Sequence, residues 1–405
     1  LEMKLTKDAL TITSATTIVA KDSGRNLNFA RQIQDEIAER FLVKLPIVEE
    51  TSLTGDPFNA IILGLPETSP LVKKICAQEK IEVSPTSPGP QGYHLIINNN
   101  YALIAGSDEA GVFYGVQSLM QVARRTSETA QVFQGLKIRD RPYIKQRAVG
   151  GQTFTFHIEP PDMFRRFTKG MARLKINQFD VDYGWYNRDK EQKEKLVDYY
   201  RFADEHCMTF TSWMGAGPSM STGTSMRAEI GTDEDFKDIT KTGRSRVNPC
   251  PSEMYNYENY FDFMDSKVPF SPTRQSRYVH ISLDEMYQWN NGSRWHVCKK
   301  CRDRGLSGGE LFAEHIVRIH DYIKRHDRET MGLNTVLQYR VTGGYQGMSH
   351  AYDLLPRDMV MDLYHGGDDE EHDPVYSFKS GFERIRPWYG HGRRNRSKIH
   401  NYYWP

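Results

Sequence analysis

The sequence predicts an α/β protein: a (β/α)8 TIM barrel preceded by a small α+β accessory domain. Three observations point there. Residues 1–142 mix strand and helix signals around one hairpin pattern. From residue 143 to 405, strand signals alternate with helix signals over about 260 residues, the span that eight βα units need. No apolar run approaches the roughly 18 residues of a membrane span, so a water-exposed globular fold must bury the core.

In the accessory domain, Leu10-Thr11-Ile12-Thr13 and residues 59–64 read as strands. Between them, residues 26–41 place Phe29, Ile33, Ile37 and Phe41 at helical spacing. Residues 92–97 and 101–105 flank an Asn-rich turn, the pattern of a hairpin. Asp108 opens a helix running through Val112, Tyr114, Leu119 and Val122. Prolines at 85, 88 and 90 beside Gly89 make residues 84–91 a loop. The boundary falls at residues 138–142, ending Asp140-Arg141-Pro142.

Beyond it, strands are expected at residues 146–151, 176–183, 208–214, 278–283, 334–339, 359–364, 384–388 and 398–403. Helices are expected at 162–174, 190–206 and 309–325, the last with Leu311, Phe312, Ile316, Ile319 and Ile323 on one face. The chain stops at Trp404-Pro405, so the eighth helix is expected to be missing from it, or replaced by another segment.

Composition narrows the function. Fifty-three Lys+Arg against 52 Asp+Glu leave a net charge of +1, which argues against nucleic acid or an anionic membrane as partner. Aromatic residues reach 12%, enough to furnish both a core and a sugar-binding cleft. Five cysteines are too few for a disulfide scaffold in 405 residues. Leu1-Glu2-Met3-Lys4 lacks the apolar stretch of a signal peptide and reads as a cloning scar. The expectation is a soluble chain whose compartment stays open, secretion or a periplasmic location after leader removal included.

Barrel active sites lie at the C-terminal ends of the strands. The fourth strand, running from Tyr278 toward Asp284, would deliver His280, Asp284 and Glu285 to that rim. Adjacent carboxylates repel, so at least one should have a raised pKa, as a general acid requires. The alternative is plain: Asp284 caps the next helix and Glu285 is solvated.

These residues carry a resemblance. Tyr278 to Glu285 resembles the signature strand of glycoside hydrolase family 20, the β-N-acetylhexosaminidases, which ends His-x-Gly-Gly-Asp-Glu. Gly92-Tyr93, Gly111-Val112-Phe113-Tyr114-Gly115 with the residues up to Gln121, and Ile138-Arg139-Asp140-Arg141-Pro142 resemble the accessory domain before that barrel. Gln146-Arg147-Ala148, Ala172-Arg173-Leu174-Lys175-Ile176-Asn177-Gln178-Phe179 and Pro387-Trp388-Tyr389 resemble its first strand, second strand and seventh-strand tip.

The resemblance implies a retaining exo-glycosidase that removes terminal β-linked N-acetylhexosamine by substrate-assisted catalysis. The sugar's own acetamido oxygen attacks the anomeric carbon, Asp284 orients that acetamido group, and Glu285 is the acid and then the base. It implies that Arg147 holds sugar hydroxyls, with Asp182, Trp185, His280, Trp388 and Tyr389 lining the sugar site. It implies a glycan or glycoconjugate partner, and neither cofactor nor catalytic metal. Ser282-Leu283 replace the family's two glycines, and residues 211–219 lack its acidic and histidine residues. A glycosidase for a different or modified sugar, and a silent carbohydrate-binding relative, are therefore the alternatives; the oligomeric state stays open.

Cys298-Lys299-Lys300-Cys301, with His296 and Cys250, has the spacing of half a structural zinc site, a loop disulfide or simple thiols. The aromatic residues 255–264 suit packing of an amphipathic helix better than a sugar subsite. Residues 368–371 and 393–396 read as solvated acidic and basic loops.

Overall fold

The computed structural model describes residues 1–21, 24–53, 55–125, 131–150, 161–182, 190–213, 252, 254–265, 277–281, 303–333, 349–363 and 384–387. The chain divides into two units: Leu1–Ala148 with Glu159–Gln178 and Arg201–Met208, and Val149–Ile158 with Phe179–Tyr200 and Thr209–Pro405.

The first unit is built on a mixed sheet. Its strands are β1 (Glu2–Ile12), β2 (Thr17–Ala20), β3 (Ile47–Glu49), β4 (Ala60–Gly64), β5 (Tyr93–Ile97), β6 (Tyr101–Gly106), β7 (Ala123–Arg125) and β8 (Gln131–Asp140). They run in the order β1-β8-β5-β6-β4-β2-β3, with β7 paired to β8. Along that order the pairs from β1 to β6 are antiparallel, and those from β6 to β3 are parallel. Every residue of β4 and β5 is buried, because helices cover both faces. Alternation along the strands sorts the core. Ala60, Ile62, Leu103 and Ala105 pack with Val72, Ile75 and Cys76 of α2 (Pro70–Gln78) on one side.

On the other side lie α1 (Arg25–Phe41) and α3 (Glu109–Val122), with Phe29 and Phe113 in ring contact at 5.4 Å. The α3 helix approaches the sheet so closely that a Cβ on Gly111 would stand 2.1 Å from the carbonyl oxygen of Gly92. Asp108 caps α3 as its sequence position predicts, its Oδ1 accepting the Gly111 N–H at 2.7 Å. The helix at 26–41 and the hairpin stand where the sequence places them, whereas α2 and most of β1 and β8 go beyond its expectations.

Two buried histidines make this unit acid-sensitive. Burial is the chief cause that pulls both His94 and His206 from 6.5 down to about 4. Above 6.5 neither the folded nor the unfolded state carries the proton. Between 6.5 and 4 the unfolded chain takes protons that the folded unit refuses, so stability falls as the pH falls. Each histidine contributes on the order of 2 kcal/mol to that loss. Urea unfolding followed between pH 7.5 and 4.5 is expected to show the decline, and His206→Gln is expected to flatten it.

The second sheet joins β9 (Ala148–Gly150), β10 (Gln178–Asp182), β11 (Thr209–Trp213), β12 (Tyr278–His280), β13 (Glu329–Leu333), β14 (Val360–Leu363) and β15 (Arg384–Pro387) as neighbours in chain order. The pairs from β11 to β15 are parallel. Among the described residues, four α-helices lie between these strands in the chain: α4 (Pro161–Arg173), α5 (Lys190–Glu205), α6 (Met254–Asp265) and α7 (Gly308–Arg325). A capping box of Ser307 and Glu310 starts α7, whose five predicted apolar residues are all fully buried. Residues 254–265 form a helix, as the aromatic run at 255–264 suggests. Tyr257 is buried with its hydroxyl 2.9 Å from His315 Nδ1, and the rings of Phe261 and Tyr322 stack at 3.8 Å.

The fifth strand differs from expectation. It occupies Glu329–Leu333 rather than starting at 334, because α7 closes at Arg325 and the short turn after it delivers the Glu329 N–H to the Arg277 carbonyl at 2.8 Å. Residues 334–339 and the expected eighth strand at 398–403 lie outside the described residues. Among the described residues, no helix is long and apolar enough to cross a membrane.

Candidate active site

The parallel strands β11 to β15 present their C-terminal ends along one edge, where Trp213 closes β11 and His280 closes β12; Asp182 closes β10, the strand next to β11. The backbone register sets Trp213 beside His280, and His280 beside Met331 of β13. Pairing continues one residue further, where the Ile281 N–H donates to the Met331 carbonyl at 2.8 Å. Val279, His280 and Ile281 are all buried, His280 at 1% exposure. With three described strands on either side of β12, this imidazole sits dry at the end of the central strand. A histidine there can hold a hydrogen bond that water does not contest.

Of the residues singled out from the sequence, His280 and Asp182 thus close strands separated only by β11. Trp185, Asp284, Glu285, Trp388 and Tyr389 lie outside the described residues. So do Cys250, His296, Cys298 and Cys301. Among the described residues, no group of three or more His, Cys, Asp and Glu could hold a metal ion. Cys76 and Cys207 are free thiols, and burial pushes them up to about 11 and about 12, so neither is a ready nucleophile.

Arg147, expected to hold sugar hydroxyls, is engaged by groups of the protein itself. It lies beside Asn177, which accepts its backbone N–H at 2.7 Å and precedes β10 by one residue. That is the strand end opposite Asp182. Its guanidinium is also engaged: Nε donates to the Lys175 carbonyl at 2.6 Å and Nη1 to the carbonyls of Ile144 and Lys145 at 2.7 and 3.1 Å. Nη2 donates to Gln91 Oε1 at 3.0 Å, and the group lies 5.1 Å from the centre of the Tyr114 ring. Most of its N–H donors are therefore taken up by the protein itself. Arg147→Met is expected to lower unfolding stability by about 2–4 kcal/mol, because the acceptors around a half-buried cation lose their donors. Urea titration checks this. A sugar-holding arginine would instead raise KM and leave stability alone.

A second polar cluster gathers residues that the sequence shows only as scattered landmarks. The Tyr93 hydroxyl donates to Asp140 Oδ2 at 3.0 Å and lies 2.6 Å from Ser118 Oγ. Lys175 Nζ donates to both the Tyr93 hydroxyl and Asp140 Oδ2, each at 2.8 Å. Burial works to raise the Asp140 pKa, but the Lys175 ammonium and the Tyr93 hydroxyl outweigh it and hold the carboxyl below its ordinary value. Burial drives the Tyr93 hydroxyl the other way, well up.

The same unit caps two helix ends, whose last carbonyls lack intrahelical donors. Arg25 pairs with Asp204 at 2.8 Å and also donates to its carbonyl. Gln32 donates to the Glu205 carbonyl at 2.9 Å, and Gln121 to the Arg173 carbonyl at 2.7 Å. The sequence offers no periodicity for such contacts.

Residues 2–141 match the family model described as glycosyl hydrolase family 20, domain 2. A beta-hexosaminidase from Porphyromonas gingivalis (strain ATCC BAA-308 / W83) is 22% identical over 287 residues, which is 61% of this chain and 36% of that protein. Among solved structures, the chitobiase of Flavobacterium johnsoniae superposes with a TM-score of 0.65 at 15% identity, over 95% of this chain and 58% of that one. The β-N-acetylhexosaminidase of family 20 from Streptomyces coelicolor A3(2) superposes with a TM-score of 0.64 at 16% identity, over 95% of this chain and 73% of that one. The chain thus spans about a third of the length of the curated relative. At these identities the structural likeness is one of fold.

Proposed function

We propose, for a chain that carries domain 2 of glycoside hydrolase family 20 and belongs to that family, the activity of a retaining exo-glycosidase for terminal β-linked N-acetylhexosamine. The second sheet closes into a (β/α)8 barrel in this reading, with residues 398–403 as its eighth strand. The observation that carries it is His280, buried at the C-terminal end of the central parallel strand. That strand leads directly to the adjacent carboxylates. Asp284 is three residues beyond Ile281, and three residues span at most about 10 Å.

The chemistry is substrate-assisted. The acetamido oxygen attacks the anomeric carbon as the bond to the leaving oxygen breaks, and Glu285 gives that oxygen its proton. Asp284 holds the acetamido N–H and balances the positive charge of the oxazolinium intermediate. Glu285 then takes a proton from the water that opens the ring and restores the β-anomer. No second carboxylate nucleophile is needed, in keeping with the exceptions to the paired-carboxylate rule. Asp182, Trp185, Trp388 and Tyr389 form the sugar pocket, and His280 orients Asp284.

The test is hydrolysis of p-nitrophenyl β-N-acetylglucosaminide and β-N-acetylgalactosaminide by the purified chain, with and without a thiazoline mimic of the oxazolinium ion. Hydrolysis blocked by the thiazoline is expected. Turnover only of sugars lacking an acetamido group, insensitive to thiazoline, would replace this reading with a different glycone specificity. Binding of a sugar without turnover would replace it with a lectin-like role.

A further inference from the structure

The polar clusters of the first unit converge on a single four-residue turn, and that turn leads straight into β10. After α4 the chain closes with the Ile176 N–H on the Met171 carbonyl at 3.0 Å and the Lys175 N–H on the Ala172 carbonyl at 2.8 Å. This geometry puts Lys175 at a φ of 58°, the left-handed position where helices usually place glycine. A lysine is kept there by its side chain, which reaches Tyr93 of β5 and Asp140 of β8.

Two residues on, Asn177 meets the residue just before β9. Its Oδ1 accepts the Arg147 N–H at 2.7 Å, and its own N–H donates to the Arg147 carbonyl at 3.1 Å. Gln91 then ties both strand starts together. Its Oε1 accepts from Arg147 Nη2 at 3.0 Å and from Asn177 Nδ2 at 3.3 Å, and its Nε2 donates to the Lys145 carbonyl at 3.1 Å. Gln91 is itself anchored, its backbone N–H donating at 2.7 Å to the Asp108 carboxylate that caps α3.

We propose that Lys175, held by Asp140 and Tyr93, and Asn177, held by Gln91, are positioning residues that fix where β9 and β10 begin. Register is what such a lock protects. A one-residue slip along a strand turns every side chain to the opposite face. Asp182 is four residues from the start of β10, so the lock at Asn177 decides which residue arrives at the catalytic edge. The effect on rate rests on the glycosidase reading; the effect on the strands does not.

The experiment compares the full chain with Lys175→Met, Lys175→Arg and Gln91→Ala by hydrogen exchange and by steady-state kinetics, well below each variant's unfolding temperature. In Lys175→Met and in Gln91→Ala, amides of residues 178–182 are expected to exchange about tenfold faster while those of 101–106 keep their protection. With the nitrophenyl glycoside, kcat is expected to fall about tenfold at nearly constant KM, the signature of misplacement rather than lost binding. Lys175→Arg should restore both. Unchanged exchange at 178–182, or equal loosening of 101–106, would overturn the proposal and leave the clamp a plain stabiliser. Selective loosening of 178–182 in a chain that hydrolyses no acetamido glycoside would uphold the positioning and remove the glycosidase reading instead.

Discussion

Under the proposed mechanism, Glu285→Gln is expected to cut hydrolysis of an N-acetylglucosamine disaccharide by about 10²–10⁴-fold, because the leaving sugar oxygen then lacks its proton donor. The loss should shrink on the nitrophenyl glycoside, whose leaving group departs as an anion, and what remains there reports the second step. KM should change little, since an amide fills the same volume as the carboxyl. Progress curves with both substrates at one pH separate the two steps. Asp284→Asn tests the other half of the pair: the loss should persist on both substrates, because the charge on the oxazolinium ion forms whatever the leaving group. If Glu285→Gln left both substrates untouched, the carboxylate pair would be a helix cap with a solvated neighbour.

Gly111→Ala is expected to lower the stability of the first unit by about 2–4 kcal/mol, the range for forcing volume into a closed contact. The added carbon would meet the Gly92 carbonyl oxygen at 2.1 Å, and that oxygen is backbone, unable to swing aside as a long side chain would. Gly92 is no bystander, since its carbonyl also accepts the Ser107 N–H at 2.9 Å. Moving α3 outward to make room would separate Ser118 from Tyr93 and Phe113 from Phe29. Gly170→Ala, at a helix position with nothing within 4 Å of its added carbon, is the control and is expected to be neutral or slightly stabilising. Equilibrium urea unfolding of both variants decides it.

What can be read from the sequence follows from which signals are local. Residues 26–41 and 309–325 announce their buried faces by periodicity, and Phe29, Ile33, Ile37, Ile316 and Ile323 are fully buried as that periodicity requires. The hairpin and the Asp108 cap are similarly local. Gly135 hides β8, because it reads as a breaker but marks a close approach. A Cβ there would stand 2.4 Å from the Asp8 carbonyl oxygen, where the pairing of β1 shifts register. Glu329, Thr330 and Gly332 hide β13, since they leave only Met331 and Leu333 as apolar members of the strand. Near the candidate site, β12 is legible because Val279 and Ile281 flank His280 in a short apolar run. The setting of Arg147 is not legible. Its partners are carbonyls at Ile144, Lys145 and Lys175, and backbone acceptors leave no trace in a sequence.

The discontinuous make-up of the first unit has a consequence for synthesis on the ribosome. When residue 148 has emerged, α1 and α3 exist but the segments that cover Phe113 and pair with Arg25 do not, for those are His206 and Asp204. The unit cannot finish until residue 208 is out, some 60 residues later. Throughout that interval Phe113 lacks its His206 ring contact and Arg25 its Asp204 carboxylate, so a product ending at the apparent boundary is expected to be less stable than one carried to residue 208.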